Sequence, residues 1–215
     1  MGRWQVPVTL VATVAALVAC STTGSGHVVS ESRPVAGFTK IDLSGRGEVT
    51  IDQNGTEALT VEAEDNLMPK VTSQVVDGTL RLGEKSNLTL RHNTPIKYRV
   101  SVKEIAGLII SGSGTVTATK ITTPHLSVDI SGSGTVTLGG SVEAQELAIS
   151  GSGDYQAKDL PSKTTTAEIS GSGDAAVAVS DRLDVEISGS GRLTYYGNPP
   201  QVTQQVSGSG RVTKG

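Results

Sequence analysis

An all-β fold of stacked coils, a β-solenoid with about 19 residues per coil, is predicted by three features of this 215-residue sequence. The tetrapeptide SGSG occurs six times, at 111–114, 131–134, 150–153, 170–173, 188–191 and 207–210, with starts 20, 19, 20, 18 and 19 residues apart. Each copy follows a β-branched apolar residue: Ile110, Ile130, Ile149, Ile169, Ile187 or Val206. Apolar and other residues alternate with period two on both sides of each copy, the mark of half-buried strands. A repeat this short cannot close a core alone, so neighbouring coils must bury one another's apolar side chains.

The alternation assigns each position. Before SGSG, the column Leu108, Val128, Leu147, Ala167, Val185 and Gln204 shares the parity of the β-branched column. Between them lies the mostly polar column Ile109, Asp129, Ala148, Glu168, Glu186 and Gln205. After SGSG come Thr115, Thr135, Asp154, Asp174, Arg192 and Arg211, then the mostly apolar Val116, Val136, Tyr155, Ala175, Leu193 and Val212. Counting through the tetrapeptide, both serines point outward and both glycines inward, as expected for a corner with no room for a Cβ. Serines of successive coils would stack about 4.8 Å apart, close enough for hydroxyls to bond along the stack. Tyr155 falls between Val136 and Ala175, so the alanine is expected to make space for the ring. An antiparallel meander is the competing architecture. It accounts for less, because it need not place identical residues in register at every coil.

Composition suits a thin core. Aromatic residues make up only 3% of the chain against 36% hydrophobic residues overall, and glycine is abundant at 26. Net charge is −3 with the cations scattered, which argues against a nucleic-acid partner.

The N-terminal third is less regular. Residues 38–52, FTKIDLSGRGEVTID, obey the same grammar around SGRG at 44–47, but this corner precedes the next by 67 residues, about three and a half coils. Strand-like segments fill the interval, and Asp77-Gly78 reads as a tight hairpin turn. Antiparallel pairing and a capping role are expected for this part. At the other end Lys214 replaces an inward apolar residue, a charge that discourages pairing at an exposed edge unless the end simply frays.

Residues 1–19 read as a signal segment: Arg3, an apolar stretch VPVTLVATVAALVA, then LVAC at 17–20. A small residue before the only cysteine, with leucine three positions ahead of it, resembles the lipobox of bacterial lipoproteins, which implies cleavage and acylation of Cys20, for instance by palmitate. An ordinary secretory signal and a retained membrane anchor are the other readings, the latter short of the roughly 20 apolar residues a span needs. Residues 20–35 are expected as a lipidated flexible tether and 36–215 as the solenoid, with irregular coils over 36–105 and the SGSG repeats over 106–215.

The motifs Phe38-x-x-Ile41, AEDNL at 63–67, the tandem SGSG strands and YYGNP at 195–199 resemble the head GIN domain family of "putative auto-transporter adhesins" over roughly residues 36–215. The resemblance implies a right-handed β-helix-like fold and a bacterial cell-envelope location, often with a lipoprotein signal. It implies no catalytic residues.

Catalytic signatures are missing from the sequence. His27, His92 and His125 are isolated from metal-ligand spacings, and there is no phosphate-binding loop or nucleophile elbow. No cofactor and no enzymatic activity are expected. The one constellation is the column after SGSG, where Asp154, Asp174 and Arg192 would be stacked neighbours, with Tyr196 as an outward aromatic beside them. It reads as a solvated ladder with an Asp174–Arg192 pair. The alternatives are a weak calcium or sugar contact and an acid–base carboxylate pair. The function expected is adhesion, scaffolding or partner binding by a non-enzymatic envelope lipoprotein, its partners being the membrane through Cys20 and an envelope protein or polysaccharide. The alternative is a carbohydrate-binding or polysaccharide-active β-helix; a sensing role beside an envelope regulator also stays open.

Overall fold

A computed structural model describes residues 21–85, 89–91 and 94–215. Its strands in chain order are β1 (Ser21–Thr23), β2 (Val28–Arg33), β3 (Lys40–Gly45), β4 (Glu48–Gln53), β5 (Ala58–Glu64), β6 (Val71–Val76), β7 (Thr79–Glu84), β8 (Thr89–Arg91), β9 (Lys97–Val102), β10 (Gly107–Gly112), β11 (Thr115–Gly132), β12 (Thr135–Gly151), β13 (Asp154–Gly171), β14 (Asp174–Gly189), β15 (Arg192–Tyr196), β16 (Gln201–Gly208) and β17 (Arg211–Lys214). A single 3-10 turn covers Met68–Lys70 among the described residues.

The fold is a β-solenoid. β11 to β14 are 16 to 18 residues long because each wraps most of one coil. Each coil pairs in parallel with the coil before it, and the corners stay in register: Ser44-Gly45, Ser111-Gly112, Ser131-Gly132, Ser150-Gly151, Ser170-Gly171, Ser188-Gly189 and Ser207-Gly208 are successive partners. The corner separates two faces. Face one holds the strand halves that enter it, face two those that leave it. Differences in coil length are absorbed away from the corner by register shifts near Ala118–Ile121, Thr137–Gly139 and Ala157–Thr164.

Parity sets the core. Leu43, Ile110, Ile130, Ile149, Ile169 and Ile187 form one buried inward column, each 0–1% exposed. Tyr155 lies in register between Val136 and Ala175 and is fully buried, so the small alanine above it gives the ring its space.

The two corner glycines do different work, and only one points inward. From Gly114 to Gly191 the second glycine is buried, and a Cβ there would enter an apolar side chain of the preceding coil, Leu43 at Gly114 and Ile149 at Gly173 for example. The first glycine is half-exposed and faces along the stack. At Gly112 to Gly208 a Cβ would stand 2.5–2.6 Å from the carbonyl oxygen of the corner glycine one coil earlier. Its φ of +112° to +141° also lies where side chains are strained. The expected inward direction for this position is corrected accordingly. Backbone groups tie the corner from rung to rung: Ser133 N donates to Gly112 O (2.9 Å), Ser152 N to Gly132 O (2.8 Å) and Asp154 N to Gly134 O (2.9 Å). The hydroxyls of Ser44 and Ser131 turn to Asp42 and Asp129 of their own coils, not to serines in a ladder.

The N-terminal third departs most from expectation. SGRG at 44–47 is not several coils from the first SGSG. β3 pairs directly with β10, and β4 with the start of β11. The chain lays down this one coil, then doubles back. β7 and β9 form a rung on its far side, in parallel with β3 and β4. Antiparallel strands close that end: β6 on β7, β5 on β9 and β2 on β5. The turn at Asp77-Gly78 joins β6 and β7 as expected, with φ of +49° and +72°.

The tether expected over residues 20–35 is also corrected, because β2 spans six residues of it in a full antiparallel ladder with β5. Ahead of β2, Ser25 N and its hydroxyl bond Asn66 and Asp65, Asn66 Nδ2 donates to Thr23 O, and Gly26 N donates to Glu64. The AEDNL segment thus straps the N-terminal strand to the cap. Cys20 and His92 lie outside the described residues.

Candidate functional site

The outward column of face two runs the length of the stack: Lys97, Glu48, Thr115, Thr135, Asp154, Asp174, Arg192 and Arg211 are successive register partners. Period-two strands on a glycine corner hold these positions in one line. The expected neighbours Asp154, Asp174 and Arg192 are therefore brought together. Arg192 Nε stands 3.9 Å from Asp174 Oδ1, and both side chains are well exposed. Lys97 and Glu48 make a similar loose pair at 4.0 Å. Such exposed pairs contribute at most about 1 kcal/mol each. Tyr196 lies four residues beyond Arg192 on the same outward parity and is 38% exposed. Its register partner is Ala178, so it flanks the charged column without joining it. Lys214, the expected edge charge, is exposed and donates to Asn198.

Face one carries a second charged surface. Its outward column reads Asp42, Ile109, Asp129, Ala148, Glu168, Glu186 and Gln205. A shallow recess of ≈ 240 Å³ there is lined by Asp129, Glu146, Thr166 and Glu168 among others. His125 Nε2 stands 3.7 Å from Glu146. Arg182 Nε donates to Asp184 at 2.6 Å, and this hydrogen bond holds the Asp184 carboxyl below the ordinary aspartate range. In the sequence this column shows only as mostly polar, and its signal is the run Asp129, Glu168 and Glu186 at one offset from SGSG.

A third group is buried. Tyr155 donates to Gln145 Oε1 (2.9 Å), and Gln145 Nε2 donates to Ser162 (3.1 Å) and Thr165 (3.0 Å). Ser162 also bonds Thr165 and Ala178 O. All four residues are at most 4% exposed, and burial pushes the Tyr155 hydroxyl well above its ordinary pKa. Parity allowed this set to be found, since Leu126, Gln145, Thr165, Leu183 and Val202 occupy one inward column. With its polar atoms partnered, the network orders the core rather than offering reactive groups.

Chemically these surfaces can form extended polar and ionic contacts. Among the described residues no group of three or more His, Cys, Asp or Glu could hold a metal ion, and no helix is long and apolar enough to cross a membrane.

Comparison with known proteins agrees with this architecture. No curated protein matches the chain. Among solved structures it is similar to a "putative adhesin" of Bacteroides fragilis, at 22% identity over 90% of this chain and 100% of that one, TM-score 0.75. It is also similar to a Parabacteroides distasonis protein described as a "putative lipid binding protein", at 22% identity over 91% and 100%, TM-score 0.60. A "putative adhesin" of Parabacteroides merdae follows at 20% identity over 91% and 99%, TM-score 0.51. At these identities the likeness establishes the solenoid fold. Residues 37–199 match the family described as "Putative auto-transporter adhesin, head GIN domain", and the chain belongs to that family.

Proposed function

We propose that this chain is a non-enzymatic lipoprotein of the bacterial cell envelope whose solenoid presents its flat outer faces to a partner, in adhesion or scaffolding. The observation that carries this reading is the continuous outward column from Lys97 to Arg211, held in register from rung to rung along one face. A long, rigid, charge-sorted face suits an extended partner better than a small substrate, which calls for a concave and largely apolar pocket. The adhesin family supports it.

The anchor in this reading is a lipid on Cys20. Support comes from the LVAC motif, and a strap fixes Ser25 and Gly26 to the cap a few residues further on. With so little free chain, an anchored molecule would stand with its cap toward the membrane. Replacing Cys20 by alanine is expected to release the full chain from the membrane fraction; unchanged membrane association would overturn the anchor. For the face, a pull-down from the native envelope compares the natural chain with one in which Asp154, Asp174, Arg192 and Arg211 are all serine. A partner lost with the variant supports the reading, and equal recovery contradicts it.

A second reading, carbohydrate binding, is favoured by Tyr196 being exposed beside the Asp154, Asp174 and Arg192 column. A glycan array with the full chain tests it. Binding lost on Asp154→Ala, Asp174→Ala or Tyr196→Ala would favour this reading, and an array without binding would remove it.

A further inference from the structure

The rung formed by β16 is unlike those beneath it. All eight of its residues are exposed, including Val202 at 38% and Val206 at 41%. Their register partners one coil earlier, Leu183 and Ile187, are fully buried. Among the described residues β16 pairs only with β14, along one edge. A sheet edge of this length is usually blunted by charge, proline or a covering group. The cap end shows such protection. Glu31 and Arg33 sit within its edge strand β2, and the Arg33 guanidinium reaches across to Val71 O (2.9 Å) at the start of β6 and to Met68 O (3.2 Å) in the turn before it. β16, with sequence QVTQQVSG, contains neither charge nor proline.

The strand is also complementary to itself. Under antiparallel pairing about Gln204, Val202 faces Val206 of a second copy, Thr203 faces Gln205, and Gln201 faces Ser207. The two valine pairs extend the inward column. The two Gln204 amides meet at the centre, where each can both donate and accept. Within β16 no charges are opposed; the cations Arg211 and Lys214 lie on β17, the other half of the same coil. Antiparallel addition at the end of this sheet already occurs in the molecule, at β5 on β9 and at β6 on β7. We propose that two copies of the chain pair antiparallel through their β16 edges, about a two-fold axis at Gln204. The pairing is isologous and closes on itself, so it yields a dimer and not a fibre.

Combined with the envelope reading, on which this part rests, pairing through the far ends would set the two caps and their lipid anchors at opposite ends of the assembly. Nine rungs of face one at about 4.8 Å each, doubled, separate the caps by roughly 80 Å. The dimer would then join two surfaces that each display this chain.

The test uses the full chain in mild detergent with Cys20→Ser, which removes the one natural thiol, and Gln204→Cys. Mild oxidation is expected to give a covalent dimer. Adding Val202→Lys and Val206→Lys sets lysine opposite lysine and is expected to cut dimer yield about tenfold or more. Val202 and Val206 sit over Leu183 and Ile187, so the lysine variant is first shown to keep the urea midpoint of its parent. A control with Ser188→Cys, one rung inward, is expected to stay monomeric. A monomeric Gln204→Cys protein, cross-linking unchanged by the lysines, or equal cross-linking at Ser188→Cys would each overturn the proposal. Failure of the dimer together with membrane release by Cys20→Ala would sink the pairing alone and leave the lipoprotein reading standing.

Discussion

The repeat stack of residues 107–215 and the cap of residues 21–106 are built from similar strands, yet the same corner motif meets different demands in each. In the stack every corner sits on a corner, and the first glycine lies hard against the carbonyl below. At Gly45, in the coil of the cap that borders the stack, a Cβ would meet nothing within 4 Å, although φ is +90°. The rung beneath explains this. β7 follows β3 in register only from Lys40 to Leu43, so no corner lies under Gly45. One glycine is needed for its backbone conformation alone; the other is needed for conformation and for close approach. The demand on a motif is set by what is stacked against it.

That difference gives the largest expected effect. Gly151→Ala should cost about 3 kcal/mol or more, combining a left-handed backbone with a clash against the Gly132 carbonyl. Gly45→Ala should cost about 1–2 kcal/mol, for the backbone alone. Urea unfolding of the two variants measures both, and equal losses would erase the distinction between cap and stack.

A smaller effect is expected within the stack core. Gln145→Leu strands the Tyr155 hydroxyl and removes partners from Ser162 and Thr165, at about 1–3 kcal/mol. Adding Tyr155→Phe should recover part of that loss, because no buried hydroxyl is then left without its partner. The denaturation midpoints of the single and double variants report it.

The smallest effect is a pH dependence shared by both regions. Burial raises the hydroxyl pKa of Tyr155 in the stack above the ordinary 10.0. In the cap, Tyr98 is raised by burial and then by the Glu84 charge. A raised folded pKa means that the contribution is fully present below pH 10 and is lost as pH climbs above it. Urea midpoints should therefore fall above about pH 10. Tyr155→Phe and Tyr98→Phe should each remove their own region's share of that fall.

The stack was legible because its physics is periodic. Inward parity fixed the Ile110-to-Val206 column, and the fixed offset from SGSG fixed which charges share a face, including Asp174 beside Arg192. The position of Tyr155 against Ala175 followed from the same count. The direction of the first glycine did not, since parity describes a strand and the chain leaves strand geometry at the corner. The cap was legible only as a set of strands. Antiparallel and parallel pairing impose the same alternation on a sequence, so nothing in residues 58–102 signals that β7 and β9 pass behind β3 and β4. Residues 20–35 read as tether because most of them are small or polar. Their order comes from the ladder of β2 on Leu59–Glu64 and from Glu64, Asp65 and Asn66, distant partners that no local pattern names. The buried Gln145 and Thr165 occupied an inward column, but single-residue polarity pointed the other way, and their mutual hydrogen bonds decide it.

A cross-link reports on the doubling back of the chain. With Cys20→Ser to remove the natural thiol, Ser44→Cys and Ser111→Cys occupy register partners on adjacent parallel rungs. Their spacing of about 4.8 Å is within disulfide reach. A near-complete intramolecular disulfide is expected for this pair under mild oxidation, and little for Ser44→Cys with Ser131→Cys, two rungs apart. Corners separated by three and a half coils would stand about 17 Å apart. Failure of the 44–111 pair to close in a folded chain would overturn the doubling back.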